Sequence, residues 1–242
     1  MKVAGVGEKH FYRPQSHVKN NFIINYRHCS ISVSSDADVE KECRKNLPLI
    51  YDGIEKHVEN NVVFAQSLVP VTADETAPLI IKNMIKAGGK AGTGPMAAVA
   101  GAIAETLFRS VKTPFNTLII ENGGDIFASS DKDLICGLYS RSSFDKFALK
   151  IKRSLMPCAI SSSSAVIGHS LSFGNALLAV VLSPSGALSD AFATSLANNV
   201  QSEEELENAV NFCAAGKRVT GCAAIINEKI AFAGDMEFTE LS

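Results

Sequence analysis

Asp190 and Thr194 stand four residues apart in a stretch of helical pattern, so they share one face of that helix. Ala193 and Ala197 line the rest of that face, with no Lys, Arg or Glu. Leu188, Phe192 and Leu196 form an apolar stripe roughly opposite. A carboxylate and a hydroxyl among small neighbours suit a hard cation such as Mg²⁺, which takes oxygen ligands and keeps waters or substrate phosphates. The plain alternative is a solvated helix face.

Three glycine-rich segments are further candidates. In Gly92-Thr93-Gly94-Pro95, the proline suits the first position of a helix. That leaves Gly92 and Gly94 at a helix N-terminus, where backbone amides can hold a phosphate or carboxylate; the alternative is a turn between two helices. In Asn122-Gly123-Gly124-Asp125, two glycines free the backbone and present Asp125 at the end of a buried-type strand, 117–120. Taken alone, the segment reads as a hairpin turn, because N-G and G-G are standard hairpin pairs. Residues 161–174, SSSSAVIGHSLSFG, form a Ser- and Gly-rich loop around His169, with Ser163 and Gly168 as candidate ligand contacts. The plain alternative is a surface loop with a solvated His, and a Ser/His hydrolase lacks both a nucleophile elbow and an evident orienting partner here. Gly5-x-Gly7 lacks the third glycine and preceding strand of a dinucleotide fingerprint, and 88–94 lacks the Gly-Lys-Ser/Thr of a Walker loop.

The elements that must position these residues alternate along the chain. Residues 22–33 have strand character throughout, rich in β-branched and aromatic side chains. A helical stretch opening after 34–38 carries Leu47, Ile50, Ile54 and Val58 at helical spacing. Residues 62–69 read as a short strand, 76–87 as a helix stopped by Gly88-Gly89, and 97–109 as a small-residue helix. Strand patterns follow at 126–129, 134–139, 147–151, 157–161 and 177–182. Helices are expected at 188–200 and at 203–214, the second opening on a capping box, Ser202-x-x-Glu205. Residues 221–226 and 229–233 read as a hairpin around Asn227-Glu228. Strands clustered in the middle and at the end predict an α+β layered domain with a mixed or antiparallel sheet, one domain over 1–242.

Composition narrows the functional classes. Lys plus Arg is 23 and Asp plus Glu is 25, a near-balance that argues against a nucleic-acid binder working by bulk basic charge. The longest apolar runs, 96–104 and 176–182, are far below the ~20 residues of a membrane helix. The opening MKVAGVGEKHFYR has no apolar signal-peptide core, and the six cysteines are scattered without C-x-x-C. The expectation is a cytoplasmic protein with reduced thiols, mostly core filler, and no structural zinc site.

The order of these pieces resembles the ApbE family, the FAD:protein FMN transferases. It is most similar to a shorter ApbE-like branch with GPMAAVAG, ENGGD and GHSLSFG, and the likeness runs from about Gly92 to Val200. Gly-Gly-Asp (123–125) together with Asp-Ala-x-Ala-Thr (190–194) carries it. The resemblance implies an ApbE-like layered fold, a cleft for FAD, and Mg²⁺ at the pyrophosphate. It implies Asp190 and Thr194 as metal ligands, His169 at the active-site histidine position, and residues 122–125 lining the cleft. The family helix carries Ala-Lys-Gly where this chain has 96–101, MAAVAG, and its histidine is followed by Ile-Ile-Asp-Pro where this chain has Ser-Leu-Ser-Phe-Gly. The reading is a Mg²⁺-dependent flavin-nucleotide enzyme that transfers FMN or cleaves FAD, with His169 or Asp125 taking a proton and a protein as acceptor. Two alternatives stay open: a flavin or phosphorylated-ligand binder without turnover, and a metabolic enzyme acting on another small molecule.

Overall fold

The structure is a computed structural model and describes residues 18–164 and 174–241. In chain order the elements are β1 (Asn20–Tyr26), β2 (Cys29–Ser35), α1 (Glu40–Asn60), α2 (Val62–Gln66), α3 (Leu79–Ala91), α4 (Val99–Ser110), β3 (Leu118–Asn122), β4 (Asp125–Ser129), β5 (Leu134–Gly137), β6 (Phe147–Ile151), β7 (Cys158–Ser163), β8 (Leu178–Ser183), α5 (Gly186–Asn199), α6 (Leu206–Ala214), β9 (Gly221–Ile226), β10 (Lys229–Gly234) and β11 (Glu237–Glu240). An eight-stranded sheet runs β1-β2-β3-β4-β7-β8-β9-β10, and a three-stranded sheet runs β11-β6-β5. Every strand pairing described is antiparallel. The expected α+β layering is present.

The large sheet is the middle layer. Ile31, Val33, Leu118, Ile120, Phe127 and Val181 point from it into a core shared with the helices. The alternate residues Ile119, Ile126, Ile160, Val180 and Ile225 point the other way, into a second core with Leu134, Leu149 and Ile151 of the small sheet. A strand covered on both faces takes apolar residues on both, which explains the runs 118–120 in β3 and 178–182 in β8; β3 then buries Glu121 and Asn122 at its hairpin end. α5 lies against this sheet with α3, α4 and α6 around it and is buried along nearly its whole length. The solvated-face alternative for Asp190 therefore fails, since Asp190 is buried along with Leu188, Phe192 and Leu196.

Several local expectations are corrected. The 22–33 strand is a hairpin, β1 and β2, turned at Arg27 in the left-handed region (φ 49°), without the usual turn residues. Residues 62–66 form a helix because the Asn61 side chain accepts a hydrogen bond from the Phe64 N–H at 3.0 Å and caps it, overriding the strand preference of Val62-Val63. α3 runs through Gly88-Gly89 and ends at Gly92. The 97–109 helix begins with a 3₁₀ turn at Pro95–Ala98, and α4 follows it. α6 starts at Leu206, with no side-chain bond from the expected capping box. β11 pairs with β6 where no strand was expected.

All six cysteines are free and buried. Burial pushes the Cys29 thiol up to about 11, and those of Cys43, Cys136 and Cys158 up to about 12, so little reactive thiolate forms at neutral pH. The folded, unreduced protein is expected to react with an aromatic disulfide reagent only slowly, and the denatured protein to release six equivalents. Two or four equivalents after denaturation would show disulfides. No helix among the described residues is long and apolar enough to cross a membrane.

Candidate functional site

The site is built where α4 crosses α5. The crossing is close because each helix has a glycine there. A Cβ on Gly101 would lie 2.2 Å from the Gly186 carbonyl oxygen, and one on Gly186 would lie 2.1 Å from that of Gly101. Neither helix is capped by its own N-cap side chain. Each is capped by the other instead. Asp190 Oδ2 accepts the Gly101 N–H at 2.9 Å in the first turn of α4. Glu105 Oε2 accepts the Gly186 N–H at 2.7 Å and the Ser185 hydroxyl at 3.2 Å at the start of α5. A carboxylate at a helix N-terminus meets unsatisfied amides and the positive end of the dipole. Glu105 also pairs with Arg109, one turn along α4, at 2.8 Å.

The glycine hairpin reaches the same helix turn. Asn122 and Asp125 are opposite one another across a two-residue turn, with Gly123 at φ 63° and Gly124 at φ 110°. Both signs are positive, as a hairpin turn matching the strand twist requires, and glycine adopts them without strain. The hairpin reading of this segment is therefore correct, and it fixes where two side chains go. Asn122 Nδ2 donates to the Ala100 carbonyl at 3.2 Å, and Asn122 Oδ1 accepts from the Cys29 thiol at 3.4 Å. Asp125 lies on the helix-side face of β4, two residues before Phe127.

Ser161 completes the group. Ile126 pairs with Ile160, which sets Ser161 beside Asp125 on the helix-side face. Ser161 in turn pairs with Val181, whose carbonyl accepts the hydroxyl of Ser189, the residue before Asp190, at 2.6 Å. The strands and α5 thus bring Asp125, Ser161 and Asp190 together beside the first turn of α4. Burial drives both carboxyls up. Asp125 is raised well above the usual carboxylate range, first by burial, then by the charge of Asp190, with a smaller push from Glu121; the nearby Ser161 hydroxyl opposes the rise. Asp190 is pushed up to about 7 by burial, against the stabilising amides of Gly101 and Ala100. No cationic side chain is among the groups that set either shift.

The remaining candidates fall elsewhere around this group. Thr194 lies one turn beyond Asp190 on α5 and is half-buried. Ser163 follows Ser161 on the same face of β7, also half-buried. Gly92 is exposed and ends α3 at φ 75°. Gly94 is buried against the backbone of Ser67 and Leu68, and Pro95 does stand at the start of a helical turn. Gly168 and His169 lie outside the described residues. Among the described residues no three His, Cys, Asp or Glu side chains cluster as a metal cage. Sequence reasoning missed Gly101, Glu105 and Gly186, and did not single out Ser161 within its serine run. The one signal was Gly101 and Glu105 at helical spacing four apart, which gives no hint of Gly186.

A helix layer on an all-antiparallel eight-stranded sheet, backed by a small second sheet, defines an α+β protein of the ApbE fold. Residues 14–220 match the family model described as AbpE bacteria, and the chain belongs to that family. It is 36% identical over 188 residues to UPF0280 protein MJ1526 of Methanocaldococcus jannaschii, covering 75% of this chain and 76% of that one. It is 32% identical over 210 residues to a UPF0280 protein of Methanocella arvoryzae, covering 86% of each. Among solved structures it is similar to the apo form of the Pseudomonas stutzeri flavinyl transferase ApbE, with TM-score 0.59 and 10% identity over 88% of this chain and 93% of that one. It is also similar to the flavin transferase ApbE of Vibrio cholerae, with TM-score 0.58 and 9% identity over 88% and 96%. At such identities the likeness establishes the fold.

Proposed function

We propose that the protein is a Mg²⁺-dependent flavin-nucleotide enzyme of the FMN-transferase type, acting in the cytoplasm on FAD with a protein hydroxyl as acceptor. The observation that carries this reading is the Asp125–Ser161–Asp190 group at the N-terminal turn of α4, beside a glycine hairpin. It supplies oxygen donors only and is buried without a cationic side chain to offset it. Buried negative charge of this kind, with no cationic partner, fits a Mg²⁺ held at Asp190. The family fold and the solved flavin transferases of that fold support FAD as the nucleotide.

In this reading Asp190 and Thr194 hold the cation, whose bound charge offsets that of the pyrophosphate. Asp190 is kept in place by the Gly101 amide, and Asn122 pins the hairpin to Ala100. The backbone of Gly123 and Gly124, with no side chain in the way, allows close approach of a phosphate, and Gly92, Gly94, Ser163 and Gly168 are further contacts for the nucleotide. The acceptor hydroxyl attacks the FMN phosphorus, the bond to the AMP phosphate breaks, and AMP leaves. His169, or Asp125 in its ionised form, takes the hydroxyl proton.

The test is FAD titration with and without Mg²⁺, followed by chromatography of the products. Tight FAD binding with Mg²⁺-dependent release of AMP is expected. FAD bound without any AMP would favour a flavin binder without turnover. No FAD binding at any Mg²⁺ concentration would remove the flavin reading.

A further inference from the structure

Among the described residues four buried side-chain atoms lack a hydrogen-bond partner, His57 Nε2, Thr93 Oγ1, Asp125 Oδ1 and Ser161 Oγ, and the last two stand side by side on paired strands. Asp125 is 6% exposed and Ser161 is fully buried. The Ser161 hydroxyl is near enough to the Asp125 carboxyl to favour its charged form, but neither Asp125 Oδ1 nor Ser161 Oγ completes a hydrogen bond of ordinary geometry. An unmade hydrogen bond at a buried hydroxyl or carboxylate leaves the full desolvation cost of the group uncompensated, and more so when the group is charged. Two such atoms on neighbouring strands are therefore expensive unless something fills the place between them. Both lie on the helix-side face of the sheet, where α5 packs against β7 and β4 and brings in Asp190. Asp190 spends Oδ2 on the Gly101 amide. The hairpin is locked from its other side too, as Ser162 Oγ donates to the Gly124 carbonyl at 3.3 Å. The Oδ1 atom of Asp125 is thus held in place by strand pairing and turn geometry, without a partner of its own.

We propose that Asp125 is a direct cation ligand, sharing one Mg²⁺-class ion with Asp190, and that the Ser161 hydroxyl is a third protein donor to it. The inference rests on the cation reading of this site and is independent of whether the nucleotide is a flavin. It gives Asp125 a different task from proton transfer, because an oxygen bound to a cation is not free to take the acceptor's proton. It also differs from a site made by Asp190 and Thr194 on one helix. Joining the β3–β4 hairpin, β7 and α5 through one ion couples the hairpin to the helix layer. A hard cation with two carboxylates and a hydroxyl keeps positions for water or phosphate oxygens.

Metal-stripped full-length protein is titrated with Mn²⁺ in the absence of nucleotide, free Mn²⁺ being counted by electron paramagnetic resonance and Mg²⁺ used as competitor. The parent is expected to bind one Mn²⁺, displaced by Mg²⁺. Asp125→Asn and Asp190→Asn are each expected to weaken binding by about tenfold or more, and Ser161→Ala by a smaller factor of about three. Should Asp125→Asn fail to fold, Ser161→Ala decides in its place. No Mn²⁺ bound by the parent would overturn the proposal. Parent-like affinity in Asp125→Asn, with loss in Asp190→Asn, would also overturn it while leaving the flavin reading untouched. Conversely, Mn²⁺ binding that depends on both aspartates in a protein that ignores FAD upholds the site and removes the flavin.

Discussion

Gly101→Ala is expected to lower the melting temperature by about 6–12 °C, the effect of roughly 3 kcal/mol on a chain of this length. The added methyl would be 2.2 Å from the Gly186 carbonyl oxygen, 2.8 Å from its carbon and 2.9 Å from Asp190 Cβ. Two of these three atoms are backbone, so no rotamer change relieves the clash. The helices must separate, and two caps loosen together: Asp190 on the Gly101 amide and Glu105 on the Gly186 amide. Gly89→Ala is the control. Gly89 lies inside α3, and a Cβ added there would meet nothing within 4 Å, so alanine is expected to stabilise by about 0.5–1 kcal/mol. Thermal melts of both variants, followed by circular dichroism, check the pair. A Gly101→Ala melt equal to the parent's would mean that the crossing has room to spare.

Much of this arrangement is legible in the chain itself. The buried strands β3 and β8 announce themselves by the apolar runs at 118–120 and 178–182, and the glycine pair at 123–124 specifies its own turn. The pairing of Asp125 with Asp190 was legible only through family resemblance. Its physical basis is the register that sets Ser161 beside Asp125 and the Ser189 bond that seats α5 on β8. Such long-range contacts leave no local pattern. The same limit explains the β1–β2 turn, where an arginine takes a positive φ because strand pairing on both sides holds it there. It explains α2 as well, where one asparagine cap outweighs two β-branched residues. A helix face around Asp190 without Lys, Arg or Glu is a local sign of burial, whereas Glu105 four residues before Arg109 fits an exposed helix pair equally well. Its second oxygen, turned to α5, has no signature in sequence.

The stability of the metal-free protein is expected to fall as pH rises from about 4 to about 7. In the unfolded chain Asp190 titrates near 3.8; in the folded protein it holds its proton to about 7. Between those values the folded state binds more protons than the unfolded one, so each step up in pH favours unfolding. Stability from this group is complete below the unfolded pKa and is lost as pH passes through the folded one. The loss is on the order of 2–4 kcal/mol at about 1.4 kcal/mol per pH unit. Asp125 is shifted in the same direction and extends the effect. The opposite contribution comes from Asp36, Glu42, Asp74, Asp133, Glu203 and Glu204, whose carboxyls are held below their usual values by hydrogen bonds and nearby cations. Their stabilisation is lost as pH falls below about 4.5, so the two windows meet only at their edge. Melting temperatures in a chelator are thus expected to peak at mildly acid pH and to decline towards pH 7.5. Asp125→Asn flattens that decline, since it removes a buried charge facing Asp190 and adds almost no volume. At pH 8 this variant is expected to melt above the parent. A parent profile that is flat or rises between pH 4.5 and 7.5 would show that the two carboxylates are neutralised by other means, and an Asp125→Asn profile parallel to the parent's would remove Asp125 from the pair.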